Sequence, residues 1–186
     1  MAGPVVAAAV ILRPNRVIVG IADSKLLDAP TRVRLNLLIR ERALCFGIGW
    51  ADPREIDSLN ILQATFLAMR RAVLAMTCRP DRLLVDGNRL PQLGGLGGDI
   101  EARAIIGGDA LHAAIGAASI LAKTARDEYM ARMHELYPAY DFARHKGYPT
   151  ALHRQRLSEH GPCPLHRRSF GPVAMACEAS SRSRAS

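Results

Sequence analysis

Residues 82–88 read RLLVDGN, and residues 102–109 form a second stretch of the same kind, ARAIIGGD. Each is an apolar run that delivers an aspartate beside glycine, Asp86 in the first and Asp109 in the second. Runs this apolar are typical of strands inside a sheet with both faces covered, and such sheets carry ligands outside the carboxyl ends of their strands. The pattern therefore predicts two carboxylates at the carboxyl edge of an α/β sheet.

The two aspartates have two interpretations. Asp-Gly after a strand is a common turn, and Gly-Gly-Asp before a helix can be a loop with a nearby N-cap. Against this, carboxylates held close together repel each other unless a cation lies between them. Mg²⁺ suits carboxylate and water ligands and leaves room for a substrate phosphate, so the second interpretation is a metal site.

Composition limits the class of protein. The chain has 186 residues, of which 49% are hydrophobic, enough for one well-buried core. The excess of 25 Lys and Arg over 17 Asp and Glu gives a net charge of +8, which favours a polyanionic partner such as nucleic acid. The four cysteines form no CxxC pair, which indicates reduced thiols in a cytoplasmic protein rather than a zinc site. No apolar stretch is long enough to cross a bilayer, so we expect no membrane association.

Local patterns predict the secondary structure. Strands are expected at 4–12, 43–50, 82–85 and 102–106. Helices are expected from Asp28 or Thr31 to Arg40, in a short piece ending at Asn60, at 61–76, from within 112–116 to about 136, and at 150–160. The Ser- and Arg-rich end, 178–186, is expected to be a disordered tail.

Two groups of basic residues could contact a phosphate backbone. Ser119, Lys123 and Arg126 lie at i, i+4 and i+7 of a predicted helix and so share one stripe. In HKGYPT, residues 145–150, Lys146 supplies a charge and Tyr148 a ring that can stack on a sugar or base. A solvated helix edge and an ordinary Gly-Tyr-Pro turn are the alternatives, and taken alone each group favours them.

Seven collinear motifs, covering nearly the whole chain, resemble those of the ribonuclease HII family. They are DSK at 23–25, EID through NIL at 55–62, VDGN at 85–88, GD at 108–109, AASILAK with RD at 117–127, HKGYPT at 145–150 and HRRSFGP at 166–172. The resemblance implies a ribonuclease H-like fold: a mixed central sheet flanked by helices, with a helical C-terminal extension. It implies a catalytic domain over 1–140, a substrate-binding extension over 141–177 and the tail at 178–186.

The resemblance also implies the activity. Members hydrolyse the RNA strand of RNA–DNA hybrids and cut on the 5′ side of single ribonucleotides in duplex DNA, with Mg²⁺ or Mn²⁺, as part of ribonucleotide excision in DNA replication and repair. Four carboxylates hold the metals, and Asp86 and Asp109 match the third and fourth. Tyr148 matches the tyrosine that packs beside the ribonucleotide, and Ser24 and Lys25 lie where the family approaches the backbone. The family suggests a monomer, and a replication-clamp partner is left open.

One departure from the family leaves two hypotheses open. The family has an Asp-Glu pair and a Gly-Arg-Gly-Pro stretch just before the segment that begins here at Ala2, and its first central strand lies there. Either the start is misplaced at an internal Met and the natural protein is complete, or the chain is an inactive nucleic-acid-binding fragment. We expect the first, and the genomic sequence upstream in frame tests it. Ala22 also stands where the family commonly has Asn.

Overall fold

The computed structural model describes residues 1–21, 27–92, 94 and 100–183. Ser24 and Lys25, two of the predicted substrate-binding residues, lie outside this set. The described elements follow in the order β1 (Val5–Ile11), α1 (Ala29–Arg42), β2 (Cys45–Ala51), α2 (Pro53–Leu59), α3 (Ile61–Leu74), β3 (Arg82–Asp86), β4 (Glu101–Ile105), α4 (Gly108–Leu111), α5 (Ala113–Leu136), a 3-10 helix (Pro138–Tyr140), α6 (Phe142–His145), α7 (Ala151–His160) and α8 (Gly171–Ser183).

The described strands pair as two short sheets, β1 with β2 and β3 with β4. The second pair is parallel, and its register places Asp86 opposite Ile105. The predicted burial of these strands is wrong: in β3 only Leu83 is buried, and Ile106, just after β4, is 77% exposed. A two-stranded sheet offers few neighbours above and below each strand, so an apolar run in it stays partly open to water.

Contacts between Cα atoms divide the chain into two units, which we describe separately. The sheet unit comprises 6–50 and 65–125, and the terminal unit comprises 1–5, 51–64 and 126–186. The division does not follow a single boundary at residue 140, because the first five residues and α2 group with the C-terminal helices. Helix α5 contributes its first half to the sheet unit and its second half to the terminal unit.

Each unit has its own apolar core. In the sheet unit, buried residues of α1 and α5 pack with partly buried residues of β1 and β2: Leu35, Ile39, Ala117, Ile120 and Leu121 with Ala8, Val10 and Phe46. In the terminal unit, Met130 of α5 packs with Tyr140, Phe142 and Leu165, and a second cluster joins Met1, Leu157 and Val173. Ala117, Ile120 and Leu121 recur at helical spacing on α5, so one face of its first half lies in the core of the sheet unit.

Local capping sets the helix starts. The Asp28 side chain accepts from the backbone N–H of Thr31, which settles the first helix start in favour of Asp28. Asp52 and Glu55 form a capping box at α2, and the Thr150 hydroxyl caps α7. The predicted helix starts are therefore confirmed within a few residues.

Glycines in β2 allow a helix to lie against it. A Cβ added at Gly47 would lie 2.1 Å from the carbonyl oxygen of Ala72, and one at Gly49 would lie 2.1 Å from that of Ala68. Residues with side chains at these two positions would push α3 away from the strand. The alternation of glycine in β2 is thus a packing feature of the sheet unit.

Two further observations concern the ends and the surface. Helix α8 continues to Ser183, so the chain stays helical through most of the segment predicted as a disordered tail. Val173 is buried in the first turn of this helix, and a packed first turn favours extension of the helix into the following residues. Among the described helices, none combines the length and apolar character needed to span a membrane.

Candidate functional site

Asp86 ends β3 at a point fixed by backbone pairing. The N–H of Gly87 donates to the carbonyl of Ile105 (2.9 Å), which carries the ladder one residue past the carboxylate. Gly87 has φ +110°, a conformation that residues with a Cβ rarely adopt. Asp86 itself is exposed, so its carboxylate faces solvent at the carboxyl edge of the parallel pair.

Asp109 reaches the same edge through a tight turn. Gly107 takes up φ +65°, and α4 begins at once with Gly108. The backbone N–H of Gly108 donates to Oδ1 of Asp86 (2.9 Å), and Asp109 is the next residue along the chain. Asp109 is buried, with 7% of its surface exposed, and its Oδ1 accepts from the N–H of Ala110 (3.1 Å). The structure therefore links the two predicted aspartates through the backbone of Gly108, which contacts Asp86 and directly precedes Asp109.

Gly108 is closely packed at the point where its N–H contacts Asp86. A Cβ at this position would lie 2.6 Å from Cδ1 of Ile115, 3.4 Å from Cβ of Ile105 and 3.5 Å from Oδ1 of Asp86. The lack of a side chain lets the backbone N–H approach the carboxylate directly. The Gly-Gly-Asp sequence is thus explained by the close packing of β3, β4 and the first turn of α5.

Ser119 and Lys123 lie on α5 within the sheet unit, as Asp86 and Asp109 do. Both are half-buried, one turn apart, and they alternate with the buried Ile120 and Leu121.

Arg126, the third residue of the predicted stripe, belongs to the terminal unit. Its Nε donates to the carbonyl of Pro4 (3.1 Å) and its Nη2 to that of Ala2 (3.3 Å). The guanidinium carbon lies 5.0 Å from the ring centroid of Tyr148, in cation–π geometry. The structure thus joins two predicted substrate-binding residues, Arg126 and Tyr148, in one contact.

The Tyr148 loop has a strongly determined backbone. Lys146 caps α6 with φ 50°, and Gly147 follows with φ 79°. A Cβ at Gly147 would lie 2.4 Å from the carbonyl oxygen of Ala2. The Gly147 carbonyl accepts from the N–H of Ala2 (3.1 Å) and from the amino group of Met1 (2.8 Å). Tyr148 remains 49% exposed, so a fixed backbone presents a ring to solvent.

Three groups in the terminal unit were missed or misjudged by sequence reasoning. Arg167, which the sequence analysis gives no role of its own, is buried and donates to the carbonyls of Gly3 (2.9 Å) and Pro4 (3.3 Å). Burial and the nearby Arg126 lower the pKa of Arg167 to about 10. In the sequence, only the HRRSF motif points to Arg167. That motif does not show that Arg167 is buried and Arg168 exposed.

The other missed groups are Asp57 and the amino group of Met1. Both oxygens of Asp57 accept from the 168–169 turn: the N–H of Arg168 (2.8 Å), the N–H of Ser169 (2.8 Å) and the Ser169 hydroxyl (2.6 Å). Burial, with Arg167 and Arg126 nearby, lowers the pKa of the Met1 amino group to about 5. The terminal unit thus places two guanidinium groups, of Arg126 and Arg167, against the backbone of residues 2–4 and leaves the Met1 amino group neutral near pH 7.

The predicted residues fall into two sets. Asp86, Asp109, Ser119 and Lys123 belong to the sheet unit, whereas Arg126, Lys146 and Tyr148 belong to the terminal unit. The aspartate pair offers hard oxygen ligands of the kind that Mg²⁺ and Mn²⁺ bind. In the part of the chain that the structure describes, no group of three or more His, Cys, Asp or Glu side chains is arranged to hold a metal ion. The pair therefore fits as part of a metal site and needs further oxygen ligands.

Comparison with solved structures defines the class of protein. The structure superposes on ribonuclease H2 from Pyrococcus horikoshii OT3 with a TM-score of 0.79 at 22% identity, covering 97% of this chain and 93% of that one. A crystal structure of Bst-RNase HIII in complex with Mn²⁺ gives a TM-score of 0.72 at 16% identity, covering 97% and 66%. The fold is that of the ribonuclease H-like α/β class.

Sequence comparison defines the family. The family model described as Ribonuclease HII matches residues 1–173. A ribonuclease HII from Acidovorax sp. (strain JS42) is 58% identical over 179 residues, which is 96% of this chain and 83% of that protein. The chain belongs to the ribonuclease HII family, and it is a hydrolase of the ribonuclease H type, a group that depends on divalent metals.

Proposed function

We propose that this protein is an endonuclease that hydrolyses the RNA strand of RNA–DNA hybrids and cuts 5′ of single ribonucleotides in duplex DNA. The observation that carries the proposal is the hydrogen bond from the Gly108 N–H to Asp86, because it holds the residue before Asp109 against the Asp86 carboxylate at the carboxyl end of β3. Membership of the ribonuclease HII family supports the substrate class.

Asp86 and Asp109 would hold Mg²⁺ or Mn²⁺ in this proposal. A bound divalent ion polarises a phosphodiester and lowers the pKa of an attacking water. Asp86 is exposed and held through one oxygen, which suits it to bind a metal from the solvent side. Asp109 is buried, and its Oδ1 accepts from the N–H of Ala110. Its carboxylate would therefore keep its position when a metal ion or substrate binds. The Mn²⁺ complex of Bst-RNase HIII supports a divalent metal as the cofactor.

Arg126, Lys146 and Tyr148 would bind the substrate. The Tyr148 ring is half-exposed on a fixed backbone, which suits it to pack against the sugar that carries a 2′-hydroxyl. The Arg126 guanidinium lies over the Tyr148 ring, so it would support that ring and add positive charge beside the substrate. Lys123 and Ser119 would contact the phosphate backbone from α5, together with Ser24 and Lys25, and the net charge of +8 supports such contacts.

A duplex with one ribonucleotide, labelled at either end, tests the proposal. With Mg²⁺ or Mn²⁺ we expect cleavage on the 5′ side of the ribonucleotide, giving a 3′-hydroxyl and a 5′-phosphate. Asp86→Asn should abolish turnover and preserve binding. Asp81→Asn is the matched control, because Asp81 is exposed and precedes the same strand by one residue. Wild-type cleavage by Asp86→Asn would refute the metal role of that carboxylate.

Binding without cleavage is the second candidate function. It is favoured by one observation: among the described residues, the two aspartates are not joined by a third metal-ligating side chain. The same assay separates the candidates, since tight binding with no product in either metal supports the binding protein. Cleavage by the chain as written contradicts it.

Three further features are proposed on the same basis. We place the protein in the cytoplasm as a monomer, and the four cysteines, all free thiols here, support a reducing compartment. A PCNA complex is known in structure for the ribonuclease HII of Archaeoglobus fulgidus, a 23% identical neighbour with a TM-score of 0.69, and it supports a test for a clamp partner. Size-exclusion chromatography of the protein alone measures its oligomeric state. The same measurement with a replication clamp tests for a complex.

A further inference from the structure

A chain of imidazole hydrogen bonds begins at the backbone of Tyr148. Nδ1 of His153 lies 2.9 Å from the Tyr148 carbonyl oxygen. A carbonyl only accepts, so Nδ1 carries the proton and Nε2 of a neutral His153 must accept. Nε2 of His166 lies 3.1 Å from that atom and is therefore the donor. Nδ1 of His166 is then an acceptor, and the N–H of Cys163 donates to it (3.0 Å).

The geometry thus defines one tautomer for each ring of the chain. His153 and His166 are both fully buried, at 0% and 2% exposure, and burial lowers the pKa of each to about 4. Both rings are therefore neutral near pH 7, as the hydrogen-bond directions require. If either ring took the other tautomer, one contact would place two protons or two lone pairs against each other.

A third histidine holds the other side of the same loop. His145 stacks on His153, with ring centroids 4.2 Å apart. Its Nε2 donates to the carbonyl of Tyr140 (2.7 Å), and its Nδ1 accepts from the N–H of Gly147 (3.1 Å). Residue 148 is thus held before its Cα by His145 and after it by His153, and its ring lies on the exposed side.

A metal does not explain the cluster. The Nε2 atoms of His153 and His166 face each other, but the Cys163 sulfur lies against Nδ1 of His166 (3.2 Å), on the opposite side of that ring. An ion between the two Nε2 atoms would have two protein ligands and would displace the proton that joins the rings. The hydrogen-bond chain accounts for all four ring nitrogens without one.

We propose that His153 is a positioning residue for recognition of the ribonucleotide: by holding the Tyr148 carbonyl, it fixes where the Tyr148 ring meets the sugar. The inference rests on the proposed function of Tyr148. It adds a residue that does not touch the substrate. It also means that α7, which carries His153, and the Cys163–His166 turn set the position of the Tyr148 loop.

Nitrogen-15 NMR of the imidazoles in the full-length chain tests the hydrogen-bond chain directly. We expect the proton on Nδ1 of His153 and on Nε2 of His166 at pH 7. The opposite tautomer of His153 would overturn the proposal, because Nδ1 would then have no proton to give Tyr148. This result does not depend on any nuclease activity.

Two substitutions test the positioning. In His153→Asn the amide nitrogen replaces Nδ1 at the same distance along the side chain and keeps the donor, whereas His153→Leu keeps bulk and removes it. The readout is the ratio of Kd for an all-DNA duplex to Kd for the same duplex with one ribonucleotide, measured by fluorescence anisotropy. His160→Leu is the matched control, since His160 is exposed on the same helix.

We expect His153→Leu to reduce the ratio about tenfold, the effect of one lost hydrogen bond, and to speed amide exchange at residues 147–148 by a similar factor. His153→Asn and His160→Leu should stay within about twofold of the parent. A folded His153→Leu with the parental ratio overturns the proposal. If that variant does not fold, His153→Asn decides: a folded variant that has lost the ratio overturns it.

Failure of the proposed function gives a different pattern. If Tyr148→Ala keeps the parental ratio, the assigned role of Tyr148 is wrong, and amide exchange in His153→Leu alone shows whether His153 fixes the loop. If Tyr148→Ala loses the ratio and His153→Leu keeps it, the recognition role of Tyr148 stands and the positioning role of His153 is refuted.

Discussion

The guanidinium of Arg126 stacks on the ring of Tyr148, 5.0 Å from its centroid, while its N–H groups donate to the carbonyls of Ala2 and Pro4. One side chain of α5 therefore joins the N-terminal segment to the loop that presents Tyr148. Because the contacts use both the charge and the planar fork, a lysine cannot replace the arginine in full.

Replacing Arg126 by leucine should lower the free energy of unfolding by about 2–4 kcal/mol, from two lost hydrogen bonds to carbonyls and one cation–π contact. Arg126→Lys should recover part of this loss. Urea unfolding followed by circular dichroism measures both. Arg132→Leu, an exposed position on the same helix, should stay within about 0.5 kcal/mol of the parent. An equal loss in Arg132→Leu would show that helix propensity, not the Arg126 contacts, causes the effect.

Asp57 should make stability depend on acid pH. Burial opposes ionisation of this carboxyl, but hydrogen bonds from Ser169 and Arg168 outweigh it and lower its pKa. A lowered pKa in the folded state gives stability that is present above the unfolded value, near 4, and lost as pH falls through the folded value. Asp57→Asn should flatten the stability profile in that range. If the urea midpoint of Asp57→Asn changed between pH 5 and 2.5 as much as that of the parent, this prediction would be contradicted.

The histidine cluster should make the protein acid-sensitive at a higher pH. The pKa of His153 and of His166 is lowered to about 4 from 6.5, so the unfolded chain binds more protons between these values. Stability is full above about pH 6.5 and falls as pH drops toward 4, by about 2 kcal/mol for each ring between pH 6.5 and 5. Chemical unfolding at pH 7.0 and 5.0 measures it. His153→Asn should reduce the slope, and His160→Gln should not.

Gly108→Ala should destabilise the protein by about 1–3 kcal/mol and lower cleavage more than stability alone explains. The added methyl would lie 2.6 Å from Cδ1 of Ile115, so either that side chain or the Gly108 backbone that donates to Asp86 must move. Gly171→Ala is the control, because a Cβ there meets nothing within 4 Å. Thermal melting and steady-state kinetics on the ribonucleotide duplex measure the two effects. Parental kcat in a folded Gly108→Ala would show that the close approach is not needed for catalysis.

Much of the local structure could be predicted from sequence. The start of α1 at Asp28, the end of α5 before Pro138 and the cap of α7 at Thr150 depend on residues within one helical turn, so their signals are local. The position of Asp86 at the end of a strand was predicted for the same reason. The depth of burial of β3 was not, because it depends on how many strands and helices lie beside it.

Propensity, periodicity and motif spacing were enough to predict where helices and strands begin and end, the family, and which carboxylates follow two apolar runs. The tertiary structure decided which polar groups are turned inward. Arg167 donates to Gly3 across 164 residues of chain, and Tyr148, His153, His166 and Cys163 share one hydrogen-bond direction. A buried polar group loses its hydrogen bonds to water, so a partner within the protein stabilises it. Which partner is available depends on the packing of distant segments rather than on neighbours in sequence.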